Sequence, residues 1–416
     1  MLFALLLASV TASNPWTTLA WAIAGVWCFI AVIFVVALRR RAILRVSDND
    51  EQTDLPKLSV LVAARNETLC IESCIRSLFR QDYPNLEVVA INDRSTDDTG
   101  AILDLLAAEF GQRLQVVHIT SLPAGWFGKP NALTAGVQNA TGSVICFTDA
   151  DCVFQASGAL RTAVGELLQR KLDVMSIAAR YSMDSLREQV LVPCVSEMLL
   201  TWLHPERVDD PNCPDAFANG AFILVQRAPF ERIGGWSTLR AKICEDLEFA
   251  RLAKQSGLRT GVVQAENFYV TGSYQSLRES WNGWSRIFKG ALTPAQLLQT
   301  LIRMSCLFVL PFAATWWTVG SALGSGSIDG LINGSGLAFL IAFSFRTALD
   351  VAIFRLVGAP MRAAVLAPLG RFFVMAAAMR ALLSHAGLVK THWRGAAFLA
   401  GQMVMPQPVR ADSRIP

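Results

Sequence analysis

The chain has 416 residues, 53% of them hydrophobic and only 17% charged, against roughly 25% charged in an average soluble domain. With a mean hydropathy of +0.38, that balance excludes a disordered chain, a coiled coil and an ordinary soluble enzyme, and points to membrane segments attached to a globular domain. A net charge of +4 is too small to imply nucleic-acid binding. Nine cysteines form no C-x-x-C pair, which supports neither a disulfide framework nor a zinc site. Cys70, Cys74, Cys146, Cys152 and Cys244 read as reduced thiols that pack as small hydrophobes in a cytosolic domain.

The first element is Thr17–Leu38, 22 residues without a charge, followed at once by Arg39, Arg40, Arg41 and Arg45. About 20 apolar residues cross a hydrocarbon core, and the arginine cluster should stay cytoplasmic, with the N-terminus outside. Met1–Val10 is also apolar and makes a cleaved signal peptide the competing reading. Nothing basic precedes that run, however, and 22 residues are too many for a typical signal core. The expected anchor is residues 1–45.

From Leu55 to about Ala291 the composition turns ordinary, and strands alternate with helices. Leu58–Ala63, Leu86–Ile91, Leu114–Ile119 and Val144–Thr148 are short runs rich in β-formers, separated by helical stretches near Ile71–Phe79, Ala101–Phe110 and Pro130–Asn139. This alternation predicts an α/β domain over 55–291 with a mainly parallel sheet and helices on both faces. Ligands of such sheets bind beyond the carboxyl ends of the strands. There the chain places Arg65-Asn66-Glu67, then Asn92-Asp93-Arg94-Ser95-Thr96-Asp97-Asp98, then Asp149-Ala150-Asp151; Glu245-Asp246 opens a later helix. Each cluster alone reads equally well as a capped turn. Four in this order, each at a strand end or helix start, do not.

A second apolar zone runs over Met304–Ile328, 25 residues without a charge, into a Gly/Ser/Asn-rich loop at 324–336 that carries Asp329 and no basic residue. Leu337–Phe354 is a third and ends at Arg355; with the second it makes an expected helix pair over 300–355. It holds Arg346 and Asp350 at i, i+4, either as a mutual ion pair that offsets burial or as two charges near an end that reach water. Ala363–Ser384 is interrupted by Pro368, Arg371 and Arg380. If it crossed, Lys390, Arg394, Arg410 and Arg414 would lie outside, against the positive-inside bias. For 360–416 the expectation is therefore an interfacial helix, with a spanning helix as the alternative, and a cytoplasmic tail.

The motifs L-S-V-L-V-A-A-R-N-E, Q-D-Y-P, I-N-D-R-S-T-D-D-T, G-K-P-N-A-L, F-T-D-A-D, F-A-N-G-A and C-E-D-L-E-F-A-R-L together resemble glycosyltransferase family 2, inverting nucleotide-sugar enzymes with a GT-A fold. The resemblance covers about Leu58–Gly290. With flanking membrane helices, L-P-A-G-W-F-G-K, W-N-G-W-S-R and H-W-R-G favour the lipid-glycosylating subgroup of hopanoid-associated, carotenoid and ceramide glycosyltransferases.

The resemblance implies roles. Asp151, with Asp149 two residues before it, would hold Mg2+ or Mn2+ shared with the donor diphosphate, since hard cations take carboxylate and phosphate oxygens. Ala63, Arg65, Glu67 and Asp93 would hold the nucleoside, uridine by default. Family members often carry an aromatic residue at Arg65 and an aspartate at Asn92, so this sequence departs there; a guanidinium still stacks on a base. Lys129 meets a phosphate as a point charge or is a plain surface residue. Asp246 is the expected general base, with Glu245 beside it, unless the pair only favours a helix N-terminus. Phe217, Asn219 and Gly220 line the sugar and acceptor pocket or form a packed turn. Trp281, Trp284 and Arg286 hold a lipid head group or the leaving diphosphate, or are an interfacial belt. The four histidines form no ligand cluster.

The reading that follows is a non-processive enzyme of the bacterial inner membrane. It moves one sugar from a nucleotide donor to a lipid hydroxyl at the cytoplasmic face. A processive polysaccharide synthase is disfavoured by the missing Q-x-x-R-W and by only about three firm spans. A non-catalytic membrane scaffold would need decayed acidic clusters, yet Asp93, Asp151 and Asp246 are present.

Overall fold

The computed structural model describes residues 15–40, 43–46, 54–178, 180–265, 267–325, 334–389, 391–393, 396–399 and 402–404. Met1–Val10, Lys390, Arg394, Arg410, Arg414 and the 326–333 part of the expected loop lie outside them. The chain divides into two units. One comprises Val36–Val192 and Ser196–Ser273, the other Met1–Val35, Pro193–Val195 and Tyr274–Pro416.

The first unit is built on an eight-stranded sheet. Its strands are β1 (Ile43–Leu44), β2 (Leu58–Ala64), β3 (Leu86–Asp93), β4 (Leu114–Ile119), β5 (Val144–Asp149), β7 (Val174–Ala178), β9 (Phe222–Gln226) and β10 (Thr260–Ala265). Their spatial order is β1-β10-β7-β9-β5-β2-β3-β4. Only β9 runs antiparallel, between β5 and β7. The short strands β6 (Cys152–Phe154), β8 (Arg180–Tyr181) and β11 (Tyr269–Thr271) form a separate sheet. The expected parallel α/β layering is present; the lone antiparallel strand and the small sheet were not legible as periodicity.

Both faces of the central strands are covered, which is why they read as unbroken apolar runs. Successive side chains alternate between two cores. Val60, Val62, Val88 and Cys146 enter one, with Ile71, Ile75 and Leu160 from the helices Ile71–Phe79 and Ala159–Gln169. Leu61, Val89, Ile145 and Phe147 enter the other, with Leu133 from the helix Gly128–Asn139 and with Phe230, Trp236 and Phe249. At the strands' amino ends Glu87 accepts hydrogen bonds from Ser59 Oγ at 2.5 Å and from Thr141 Oγ1 at 2.8 Å, and pairs with Lys57 at 2.7 Å. Burial alone would raise its pKa, but these donors outweigh it and hold the carboxyl near about 2. That end of the sheet is a structural lock; the chemistry lies at the other.

Among the described residues, four helices are long and apolar enough to cross a membrane: Pro15–Arg39, which belongs to the second unit as far as Val35, and Pro294–Gly324, Ser335–Val357 and Met361–His385 of that unit. The second starts before Arg303 rather than after it and carries a π-turn at Ser305–Val309. Trp27 Nε1 donates to the Leu307 carbonyl within that turn at 2.9 Å. Ala20 and Ala24 of the first of these helices and Ala338 and Ala342 of the third are buried in one apolar cluster with Trp27 and Phe339. Arg346 and Asp350 are buried and ion-paired, so the water-reaching alternative fails. Arg371, from the helix Ala367–His385, joins the same carboxylate. Pro368 and Arg371 therefore do not interrupt that helix: the proline sits in its first turn, where no amide donor is lost, and the arginine turns inward.

Candidate active site

Strands β2, β3 and β5 are neighbours in the sheet and end side by side, so the loops after them converge. The loops after β2 and β3 are stitched together. Asn66 Oδ1 accepts from the Thr96 N–H at 2.8 Å, and the Glu67 N–H donates to Thr99 Oγ1 at 2.8 Å. Asp97 accepts from Thr68 Oγ1 at 2.5 Å and Thr99 Oγ1 at 2.6 Å. Asn66 and Arg94 both take left-handed backbone angles, φ 56° and 54°. The N-D-R-S-T-D-D stretch is thus a brace for the R-N-E-T loop, which neither motif announced. Arg65 and Glu67 are partly buried at that rim, and Ala63 forms part of the strand leading to it.

Asp93 is 4% exposed. Both its oxygens are held by Arg94, whose Nε donates to Oδ1 at 2.8 Å and Nη2 to Oδ2 at 3.0 Å. Gly128 lies against this pair: a Cβ there would stand 2.5 Å from Asp93 Oδ2.

Asp149 is the last residue of β5 and Asp151 follows two on. The Asp151 carboxylate meets Thr271 Oγ1 at 3.3 Å, and a Cβ on Gly272 would come within 2.9 Å of it. Thr271 ends β11 of the small sheet and Gly272 follows it; both were missed in the sequence, Thr271 lying 120 positions from Asp151. Burial, then the charges of Asp149 and Glu67, push the Asp151 carboxyl up to about 7. Like charges converge here, which is what a divalent cation would relieve. Among the described residues no three His, Cys, Asp or Glu ligands gather into a complete metal cage. Asp149 and Asp151 fit a cation that takes its remaining ligands from a phosphate.

Glu245 and Asp246 open the helix Glu245–Gln255. The Gly220 N–H donates to Asp246 Oδ2 at 3.0 Å, which fixes the carboxylate against the turn before β9. Burial, then the charge of Glu245, push the Asp246 carboxyl up to about 6, with Lys129 and two backbone N–H groups opposing. A base poised near neutrality suits general-base work. Lys129 is not a plain surface residue. Its ammonium bridges the two clusters, 2.7 Å from Asp149 and 3.0 Å from Glu245. Burial disfavours its charge, but Asp149, Glu245 and Asp246 outweigh that and hold its pKa above the ordinary lysine value.

Residues 59–234 match the family model described as glycosyl transferase family 2. These residues are a glycosyltransferase family 2 domain. A beta-monoglucosyldiacylglycerol synthase from Nostoc sp. is 28% identical over 284 residues, which make up 63% of this chain and 58% of that relative. The chain thus matches little more than half of that relative's length. A GalNAc(5)-diNAcBac-PP-undecaprenol beta-1,3-glucosyltransferase from Campylobacter jejuni is 32% identical over 108 residues, 26% of this chain and 33% of its own. A mannosyltransferase from Pyrobaculum calidifontis, solved with GDP-mannose and Mn2+, shares the fold. Its TM-score is 0.51 at 20% identity, over 89% of this chain and 99% of that one. The domain has the GT-A fold, as its motifs implied.

Of the expected site residues, Glu67, Asp93, Lys129, Asp149, Asp151, Gly220, Glu245 and Asp246 all lie in the unit that carries the family 2 domain, linked by the contacts above. Asn219 supports the turn: its N–H donates to Ser176 Oγ at 2.8 Å, and its side-chain carbonyl accepts from the Ala221 N–H at 3.2 Å. Phe217 is partly buried just before it. Trp281, Trp284 and Arg286 belong to the other unit, on the helix Leu277–Ala291. There Arg380 lies over the Trp281 ring, 5.6 Å from its centroid. Trp284 is buried edge-on against Tyr274.

Proposed function

We propose that the chain is an inverting, non-processive glycosyltransferase that moves one sugar from a nucleotide-sugar donor, a UDP-sugar, to a lipid hydroxyl at the cytoplasmic face of the bacterial inner membrane. One observation carries this reading: in a family 2 domain, Lys129 ties the Asp149–Asp151 pair to the Glu245–Asp246 pair. Four helices able to cross a bilayer among the described residues favour an acceptor that is itself a lipid. The names of the Nostoc and Campylobacter relatives, with their diacylglycerol and undecaprenol, support the same class. Arg39–Arg41 after the first apolar helix favour a cytoplasmic catalytic domain.

Arg65, Glu67 and Asp93 bind the nucleoside at the braced rim. Asp151 and Asp149 would hold Mg2+ or Mn2+, which when bound neutralises charge on the leaving diphosphate. Lys129 faces that diphosphate, and its charge opposes the burial that raises the Asp246 pKa. The acceptor oxygen bonds to the anomeric carbon as the carbon–phosphate-oxygen bond breaks, and its proton passes to Asp246. One displacement inverts the carbon. Full-length chain in lipid nanodiscs, given UDP-hexose, a divalent cation and diacylglycerol, should yield a lipid bearing a single sugar. A ladder of sugars would mean a processive synthase. No transfer and no donor hydrolysis with any UDP- or GDP-sugar would mean a scaffold.

A further inference from the structure

We infer that Arg94 is a specificity-determining residue of the donor site: paired with Asp93, it makes the nucleobase-reading edge accept lactam bases such as uracil and reject amino bases such as cytosine. This rests on the reading of the domain as a nucleotide-sugar site.

Three features place Arg94 in this role. Its backbone is held left-handed at φ 54°, a region non-glycine residues seldom occupy, at the carboxyl end of β3 where ligands of such sheets bind. Its guanidinium folds back on the preceding residue and grips both oxygens of Asp93, at 2.8 and 3.0 Å. Gly128 supplies the room, because a Cβ there would lie 2.5 Å from Asp93 Oδ2 and 2.9 Å from Arg94 Nη2. A side chain at position 128 would push against the pair.

The pair leaves a definite pattern of donors and acceptors unused. Asp93 spends one lone pair of each oxygen on Arg94 and keeps the others as acceptors, while Arg94 Nη1 keeps two N–H donors with no protein partner among the described residues. The Arg94 side chain is 20% exposed and that of Asp93 6%, so the donor is the more accessible half. An acceptor beside a donor complements an N–H beside a carbonyl. Uracil offers this at N3–H and O4. Cytosine presents the reverse, a bare N3 beside an amino group, and would set acceptor against acceptor and donor against donor. Asp93 alone would not discriminate, since the cytosine amino group could donate to it as readily as uracil N3–H. The discrimination therefore lies in Arg94.

The test compares UDP with CDP, which differ only at this edge, by calorimetry on full-length protein with Mn2+. Wild type should bind UDP at least about tenfold more tightly than CDP, the size of one hydrogen-bond pair. In Arg94→Gly, whose backbone suits the left-handed angle, the preference should fall to within about threefold, chiefly through weaker UDP binding. The Mn2+ dependence should stay unchanged. Arg94→Lys, which keeps a donor but loses the fork, should lie between and decides the matter if the glycine variant does not fold. An unchanged UDP/CDP ratio in both variants, or an equal loss for the two nucleotides, would overturn the inference, the latter showing that Arg94 merely holds Asp93. Wild type that binds neither UDP nor CDP would instead bring down the uridine-donor reading on which the inference stands.

Discussion

Asp246→Asn should lower turnover roughly 10²-fold or more while leaving donor affinity within about threefold of wild type. Amide and carboxylate are nearly isosteric, and the amide oxygen can still accept from the Gly220 N–H that now meets Oδ2 at 3.0 Å. Lys129 keeps Asp149 and Glu245 as counter-charges. What disappears is the proton acceptor, together with the oxygen that accepts from the Leu247 N–H at 2.8 Å. The wild-type rate should show the same group as an acid limb: below a pH of about 6, where the carboxyl protonates, kcat/KM should fall tenfold per unit. The variant should lose that limb. Turnover retained within a few-fold would move the base elsewhere, with Glu245 the next candidate; a collapse of donor affinity would make Asp246 a binding residue.

Asp151→Ala should abolish the stimulation of nucleotide-sugar binding by Mn2+ or Mg2+. Carboxylate and diphosphate share one cation in this reading, so each strengthens the other's binding. Binding in the presence and absence of metal, measured on wild type and variant, checks it directly. Unchanged metal stimulation would remove Asp151 from the site. The isosteric Asp151→Asn carries a second expectation of opposite sign. With a folded-state pKa near about 7, well above that of the unfolded chain, the carboxylate is destabilising once ionised, and the unfavourable contribution grows as pH rises past the unfolded value. Asp151→Asn should therefore raise the melting temperature of metal-free protein at pH 8 while lowering activity. A melting temperature that falls would show that the carboxylate is satisfied within the protein rather than waiting for a cation.

Much of this site was legible because parallel strands put their chemistry at one end. Once Leu58–Ala63, Leu86–Ile91 and Val144–Thr148 read as strands, the polar residues after each had to face a common space. The order of the acidic clusters along the strands pointed to a common site, and the family motifs gave Asp93, Asp149, Asp151 and Asp246 their roles in it. What stayed hidden depends on contacts between distant residues. Thr271 reaches Asp151 only because β11 pairs with β6, which runs antiparallel to it. The sequence left Lys129 open between a phosphate contact and a surface residue; only the helix Gly128–Asn139 shows its ammonium between two acidic pairs. Arg94 reads as a turn residue until its left-handed backbone folds it over Asp93. In the other unit, the i, i+4 spacing disclosed the Arg346–Asp350 pair, but no local pattern could add Arg371 from the next helix.

The most direct measurement is a comparison, by mass spectrometry, of lipid extracts from cells that carry the chain, cells that lack it and cells that carry Asp246→Asn. The account predicts one family of lipids, each bearing a single added sugar, present only with the wild-type chain. Lipid profiles identical across the three strains, or the same glycolipid made by Asp246→Asn at the wild-type level, would contradict it.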